Sequence, residues 1–98
     1  MKITKNGTEI KAVIEGKLDR TSSPGFEADM NRQLGDDTKY IELDLSSCIY
    51  ISSAGLRVIL ALEKKMAKNE GKLVIRNVPE LVMEVFTETG LDEILSLE

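Results

Sequence analysis

Histidine and tryptophan are absent from the 98 residues, and cysteine occurs once, as Cys48. Each absence closes a class of chemistry. Without histidine there is no Ser–His or Cys–His nucleophilic pair, and the commonest general base is missing. A single cysteine forms no internal disulfide, and no Cys/His cluster offers a zinc site. Cys48 reads as a small buried hydrophobe. The chain carries no Gly-x-Gly-x-x-Gly or Walker-type loop, so no cofactor is implied. Two Tyr and two Phe are too few for a base-stacking platform, and the net charge is −4. The cations are scattered: Lys64, Lys65 and Lys68 share a stretch with Glu63 and Glu70, which reads as a solvated helix face rather than a nucleic-acid surface. No apolar run approaches the roughly 18 residues of a membrane span. The N-terminus lacks the apolar core of a secretory signal, so a cytoplasmic location is expected. On these grounds no catalytic residue, metal site or cofactor is expected, and the chain does not read as an enzyme.

What is present is a patterned globular sequence. A hydrophobic content of 42% suits a packed core, and the length suits one domain spanning residues 1–98. A short strand begins at Ile3, and Asn6-Gly7 signals a type I′ hairpin. The return strand runs from about Glu9 to Gly16, with Ile10, Ala12 and Ile14 on one face. Ser23 as N-cap and Pro24 at the first helical position open a helix with Phe26, Met30 and Leu34 as its apolar stripe; Gly35 ends it. Residues Lys39 to Leu45 alternate, with Ile41, Leu43 and Leu45 opposite Tyr40, Glu42 and Asp44. A strongly apolar helix follows from Ala54 to Asn69, then a strand from Lys72 to Arg76. A last helix opens at Asn77-Val78-Pro79-Glu80 and turns Leu81, Val82, Val85 and Phe86 inward. Ile94 to Leu97 reads as an edge strand, which leaves weak self-association open. Strands alternating with helices imply an α/β fold with a mainly parallel sheet and an N-terminal hairpin. The wet face of the Tyr40–Leu45 strand places the helices mostly on one side.

The most informative stretch is Asp44-Leu-Ser-Ser-Cys-Ile-Tyr-Ile-Ser-Ser-Ala-Gly-Leu-Arg57. A strand runs into a turn, and Ser52 and Ser53 then open a helix. A hydroxyl at that point serves equally as a helix cap or as a carrier of phosphate, beside free N–H groups at the positive end of the helix dipole. Ala54 and Gly55 leave the Ser53 hydroxyl unshielded. The second strand's exit, with Asp19, Arg20 and Thr21, is expected to flank the same surface, because sites gather at strand ends in open α/β sheets. Arg57 is expected to pair with a surface carboxylate.

This segment resembles the STAS domain family, which includes anti-sigma factor antagonists and sulfate-transporter C-terminal domains. Gly16-Lys-Leu-Asp19, and Asn77-Val-Pro-Glu-Leu-Val-Met-Glu-Val-Phe followed by Thr89-Gly-Leu, resemble the family's second-strand loop and closing helix. The resemblance spans essentially the whole chain and implies a one-sided β/α superhelix. It implies that Ser53, two positions before the motif glycine, accepts a phosphoryl group. Family members often carry Asp just before the acceptor; Ser52 stands there in this chain and is a second candidate. The implied partners are an anti-sigma factor that is itself a serine kinase and a metal-dependent serine phosphatase. The expected partner-binding residues are Asp19, Arg20, Thr21, Ser52, Ser53, Ala54, Gly55 and Arg57. The alternative is an unphosphorylated scaffold, or a subunit of a transport or signalling complex, on the same fold.

Overall fold

The computed structural model describes residues 1–98. The chain opens with an antiparallel hairpin, β1 (Lys2–Asn6) and β2 (Glu9–Leu18). Asn6 pairs with Glu9, so the two-residue loop is Gly7-Thr8, and only Gly7 has positive φ, at 63°. A glycine at the first loop position marks a type II′ turn, not the I′ turn expected from Asn6-Gly7. Then follow α1 (Ser23–Gln33), β3 (Tyr40–Ile51), α2 (Ser53–Lys68), β4 (Lys72–Arg76), α3 (Glu80–Thr89), one 3-10 turn (Leu91–Glu93) and β5 (Ser96–Leu97).

The five strands lie in the order β1-β2-β3-β4-β5, and every neighbouring pair after the hairpin is parallel. Each crossover therefore steps the same way. Right-handed crossovers stepping in one direction place their helices on one face of the sheet. The core is accordingly one-sided. Ile10, Ala12 and Ile14 from β2 and Ile41, Leu43 and Leu45 from β3 are fully buried against Phe26 and Met30 of α1, Ile59 and Leu62 of α2, and Val82 and Phe86 of α3. The opposite face carries charge: Glu42 sits between Lys11 Nζ at 3.2 Å and Arg76 Nε at 2.9 Å, and Arg76 also reaches Glu98 at 3.0 Å.

Four sequence expectations shift. α1 starts one residue earlier, with Ser22 at the N-cap position and Ser23 already helical and buried. The hydroxyl of Ser22 faces the preceding loop rather than the helix, donating to Lys17 O at 2.6 Å. In α3, Val82 and Phe86 face inward four residues apart and Val85 packs partly against the core, but Leu81 points outward at 70% exposure. One residue rotates a helical side chain by about 100°, so Leu81 cannot share the Val82 face. β2 continues to Leu18 rather than leaving the sheet at Gly16, and β3 continues to Ile51 rather than turning at Ser46.

These last two differences have one cause. Between Val13 and Glu15 of β2, β3 advances from Asp44 to Ser47; between Gly16 and Lys17, it advances from Cys48 to Tyr50. Each time β3 carries one residue more than its partner, a bulge. The buried side chains of β3 therefore change spacing from two (Ile41, Leu43, Leu45) to three (Leu45, Cys48, Ile51). That spacing, together with Ser46-Ser47, imitates a turn in the sequence. In space it is a strand that corkscrews, keeping Cys48 and Ile51 in the core and turning Ile49 and Tyr50 out, at 64% and 50% exposure.

Candidate functional site

The end of β3 delivers the chain to α2. Ser52 is its N-cap residue, extended at φ −101° and ψ 176°, and its carbonyl accepts the first helical bond from Leu56 N–H at 2.9 Å. The Ser52 N–H donates to Leu18 O at 3.0 Å, fastening the start of α2 to the end of β2. Gly55 makes that seat possible: a Cβ there would lie 2.5 Å from Leu18 O and 2.9 Å from Leu18 Cγ. No side chain tolerates a fixed backbone oxygen at that distance. Gly55 is buried, and it positions the helix instead of offering a surface to a partner.

The two serines part company here. Ser52 is half-buried, and its Oγ is sealed from solvent without a hydrogen-bond partner. It caps by position and through its backbone only. Ser53 is the first helical residue and is exposed, and its hydroxyl is in no hydrogen bond with the protein. The side-chain cap that the local sequence also allowed for Ser53 is therefore not made. Ala54 is half-buried beside it, and Arg57, one turn further on, is exposed. Arg57 has no carboxylate within ion-pair distance, contrary to the expectation that it pairs on the surface.

Because Leu18 is pinned to Ser52, the loop that leaves β2 emerges beside the first turn of α2. Asp19, Arg20 and Thr21 are thus brought to the same end of the sheet as Ser52, Ser53 and Arg57. Within the loop Asp19 has a local task. Its Oδ1 accepts the N–H groups of Thr21 at 3.0 Å and Ser22 at 3.1 Å, and the Ser22 hydroxyl at 3.3 Å. The Ser22 N–H, the hydroxyl of Ser22 and the Thr21 N–H together hold the Asp19 carboxyl below its ordinary range, so it is ionised and turned back into its own loop. Arg20 and Thr21 are exposed, and Arg20 is unpaired.

The sequence reading missed the apolar part of this surface. Ile49 and Tyr50 stand exposed at the end of β3, separated from Ser52 by the buried Ile51. The lost signal lay in pairing: only the two bulges against β2 show that these side chains face outward. The concavities of the molecule lie elsewhere, one of about 320 Å³ among Thr4, Glu9, Lys11, Tyr40 and Glu42, and others around α3 and around Asp36, Lys68 and Asn69. None is lined by Ser52, Ser53, Asp19, Arg20 or Arg57. A surface with apolar groups, cations and a free hydroxyl but no pocket suits a protein partner better than a small ligand.

The fold is a small α/β domain with a five-stranded sheet and one strand–helix corner that carries Ile49, Tyr50, Ser53 and Arg57 exposed. A family model described as the Mlab STAS domain matches residues 1–97, and the chain belongs to the STAS domain family. BtrV of Bordetella bronchiseptica, described as an anti-sigma factor antagonist, is 34% identical over 79 residues, covering 81% of this chain and 68% of that protein. The crystal structure of an anti-sigma factor antagonist from Thermotoga maritima superposes with a TM-score of 0.89 at 21% identity, covering 98% of this chain and 83% of the other. The anti-sigma factor antagonist SpoIIAA in its unphosphorylated form superposes at 0.74 with 13% identity, over 95% of this chain and 96% of the other. Its phosphorylated form gives 0.73 at 14% identity, over 99% and 89%. At these identities the superpositions establish the shared fold. No helix is long and apolar enough to cross a membrane.

Proposed function

We propose that this domain is an anti-sigma factor antagonist switched at Ser53. In its unmodified state it docks on an anti-sigma factor that is also a serine kinase, using Ile49, Tyr50, Ser53, Arg20, Thr21 and Arg57 around the first turn of α2. In the transfer step Ser53 Oγ attacks the γ-phosphorus of ATP, ADP leaves, and the hydroxyl proton is lost. A metal-dependent serine phosphatase restores the hydroxyl by hydrolysis. The observation that carries this reading is the state of Ser53: exposed, first in its helix, and committed to no hydrogen bond. Modification there breaks nothing in the fold. It places about −1.5 to −2 charges at neutral pH on a surface that a docked partner must desolvate. Each 1.4 kcal/mol of that cost weakens binding about tenfold.

The decisive experiment incubates the protein with an anti-sigma serine kinase of the same genome and ATP. Intact mass should rise by one phosphoryl group, mapped to Ser53 and absent from Ser53→Ala. A second reading, a constitutive docking subunit, is favoured by Ile49 and Tyr50, since an exposed apolar pair serves docking without any modification. Equal partner binding by Ser53→Ala and Ser53→Asp would decide for that reading.

A further inference from the structure

Of the four arginines, Arg32 and Arg76 are held in ion pairs, and Arg20 and Arg57 are not. Arg57 is the one that shares an element with Ser53. The two are four residues apart in α2, and both are exposed. Side chains at that spacing are neighbours on a helix surface, about 5–6 Å apart at Cβ. Helical side chains lean toward the N-terminus, which carries the guanidinium back over the turn that Ser53 occupies. The order is also the favourable one, with the anion N-terminal to the cation. Two competing anions are out of the way or committed. The Asp19 carboxylate is occupied by Thr21 and Ser22, and Glu63 lies six residues further along the helix. The other cations of this end are Lys17 and Arg20 beside the β2 exit and Lys64, two turns beyond Arg57 on the outward side of α2.

We propose that Arg57 is a phosphoryl-capturing residue: once Ser53 carries a phosphoryl group, the Arg57 guanidinium turns onto it and forms a charge-assisted, internal ion pair. In the unmodified protein the same guanidinium stands free and is available to a carboxylate of the docked partner. Phosphorylation then acts twice, adding an anion and withdrawing a cation from the interface. It also spreads the new charge within the domain, so the fold bears little repulsion. The inference rests on the reading above only for the origin of the phosphoryl group; the capture is a property of this chain alone and is testable without a kinase.

The test uses the full chain with phosphoserine incorporated at position 53 during translation, followed by ³¹P NMR titration. In the wild-type background the second phosphate pKa should fall below its ordinary value of about 6. Arg57→Gln should raise it by about half a unit, and Arg57→Lys should retain part of the shift. The melting temperatures of the unmodified variants should match wild type, because Arg57 makes no ion pair there. An Arg57→Gln titration superimposable on wild type would overturn the proposal, and so would a larger shift in Arg20→Gln. A kinase that never modifies Ser53, alongside a clear Arg57-dependent shift, would remove the switch and leave the capture intact. Modification in trans with no such shift would do the reverse.

Discussion

Ser52 and Ser53 are identical in covalent chemistry and opposite in circumstance. The Oγ of Ser52 is sealed without a partner, whereas that of Ser53 is free in solvent. A buried hydroxyl without a hydrogen bond costs about 1–3 kcal/mol, so Ser52→Ala should be neutral or stabilising by up to about 1 kcal/mol. A side-chain cap would instead lose about 0.5–2 kcal/mol on the same substitution. Urea denaturation distinguishes the two signs. Ser53→Ala should leave stability within about 0.5 kcal/mol of wild type, as exposed substitutions do. Ser53→Asp should also fold normally, yet its affinity for the anti-sigma partner should fall about a hundredfold or more, read by calorimetry.

At the scale of the element, the site depends on how closely α2 sits on β2. Gly55 and the Leu18 carbonyl set that distance, and the Ser52 N–H ties it. Gly55→Ala must move either the helix or the strand end, because the obstructing atom belongs to the backbone. It should cost about 2–3 kcal/mol in denaturant unfolding, the scale of overpacking a closed core. Its ¹H–¹⁵N spectrum should change at Leu18 to Arg20 as well as in α2, since the β2 exit loop is pinned to the same spot. The two bulges in β3 belong to this scale too. They place Ile49 and Tyr50 outside and Cys48 inside, where desolvation raises the thiol pKa against the opposing backbone hydrogen bonds of Tyr50 and Leu18. Ile49, Tyr50 and Ser53 therefore share one corner of the sheet.

At the scale of the molecule, a sheet with helices on one face leaves the other to charge. Burial alone would raise the Glu42 carboxyl, but hydrogen bonds from Arg76 and Lys11 outweigh it and hold the pKa low. The Ser46 N–H does the same for Asp44, as Ser22 does for Asp19. A carboxylate with a lowered folded pKa contributes stability above its unfolded value and loses it as pH falls through the folded one. Acid should therefore destabilise the domain from below about pH 4. Glu63 has the opposite sign. Desolvation raises its pKa above the ordinary 4.5, and one carboxylate oxygen is buried without a partner. Its contribution is favourable below the unfolded value and is lost as pH rises through the folded one. Glu63→Gln should accordingly be more stable than wild type at pH 7, with the gap closing as pH falls through the raised folded pKa toward 4.5, in paired chemical-denaturation series.

The periods of two in Ile41–Leu45 and of four in Phe26–Met30, the helix-opening Pro24, and the order of strands and helices were legible because local backbone preference and face burial agree there. They sufficed for a one-sided, mainly parallel sheet. Ser53 was legible as a candidate from its neighbours Ala54 and Gly55, but its choice between capping and exposure was not. That choice depends on which residue the extended β3 delivers to the N-cap, and therefore on pairing with β2. For the same reason Leu81, Ile49 and Tyr50 were beyond reach: apolar side chains read as core until a neighbouring strand or helix defines the inward direction. The amino-acid order by itself determined the elements and their sequence, since these follow from interactions a few residues apart. Only the tertiary structure decided which hydroxyl is free, which guanidinium is unpaired and which apolar groups face outward, because each depends on contacts that bring the ends of β2 and β3 together across some thirty residues of chain.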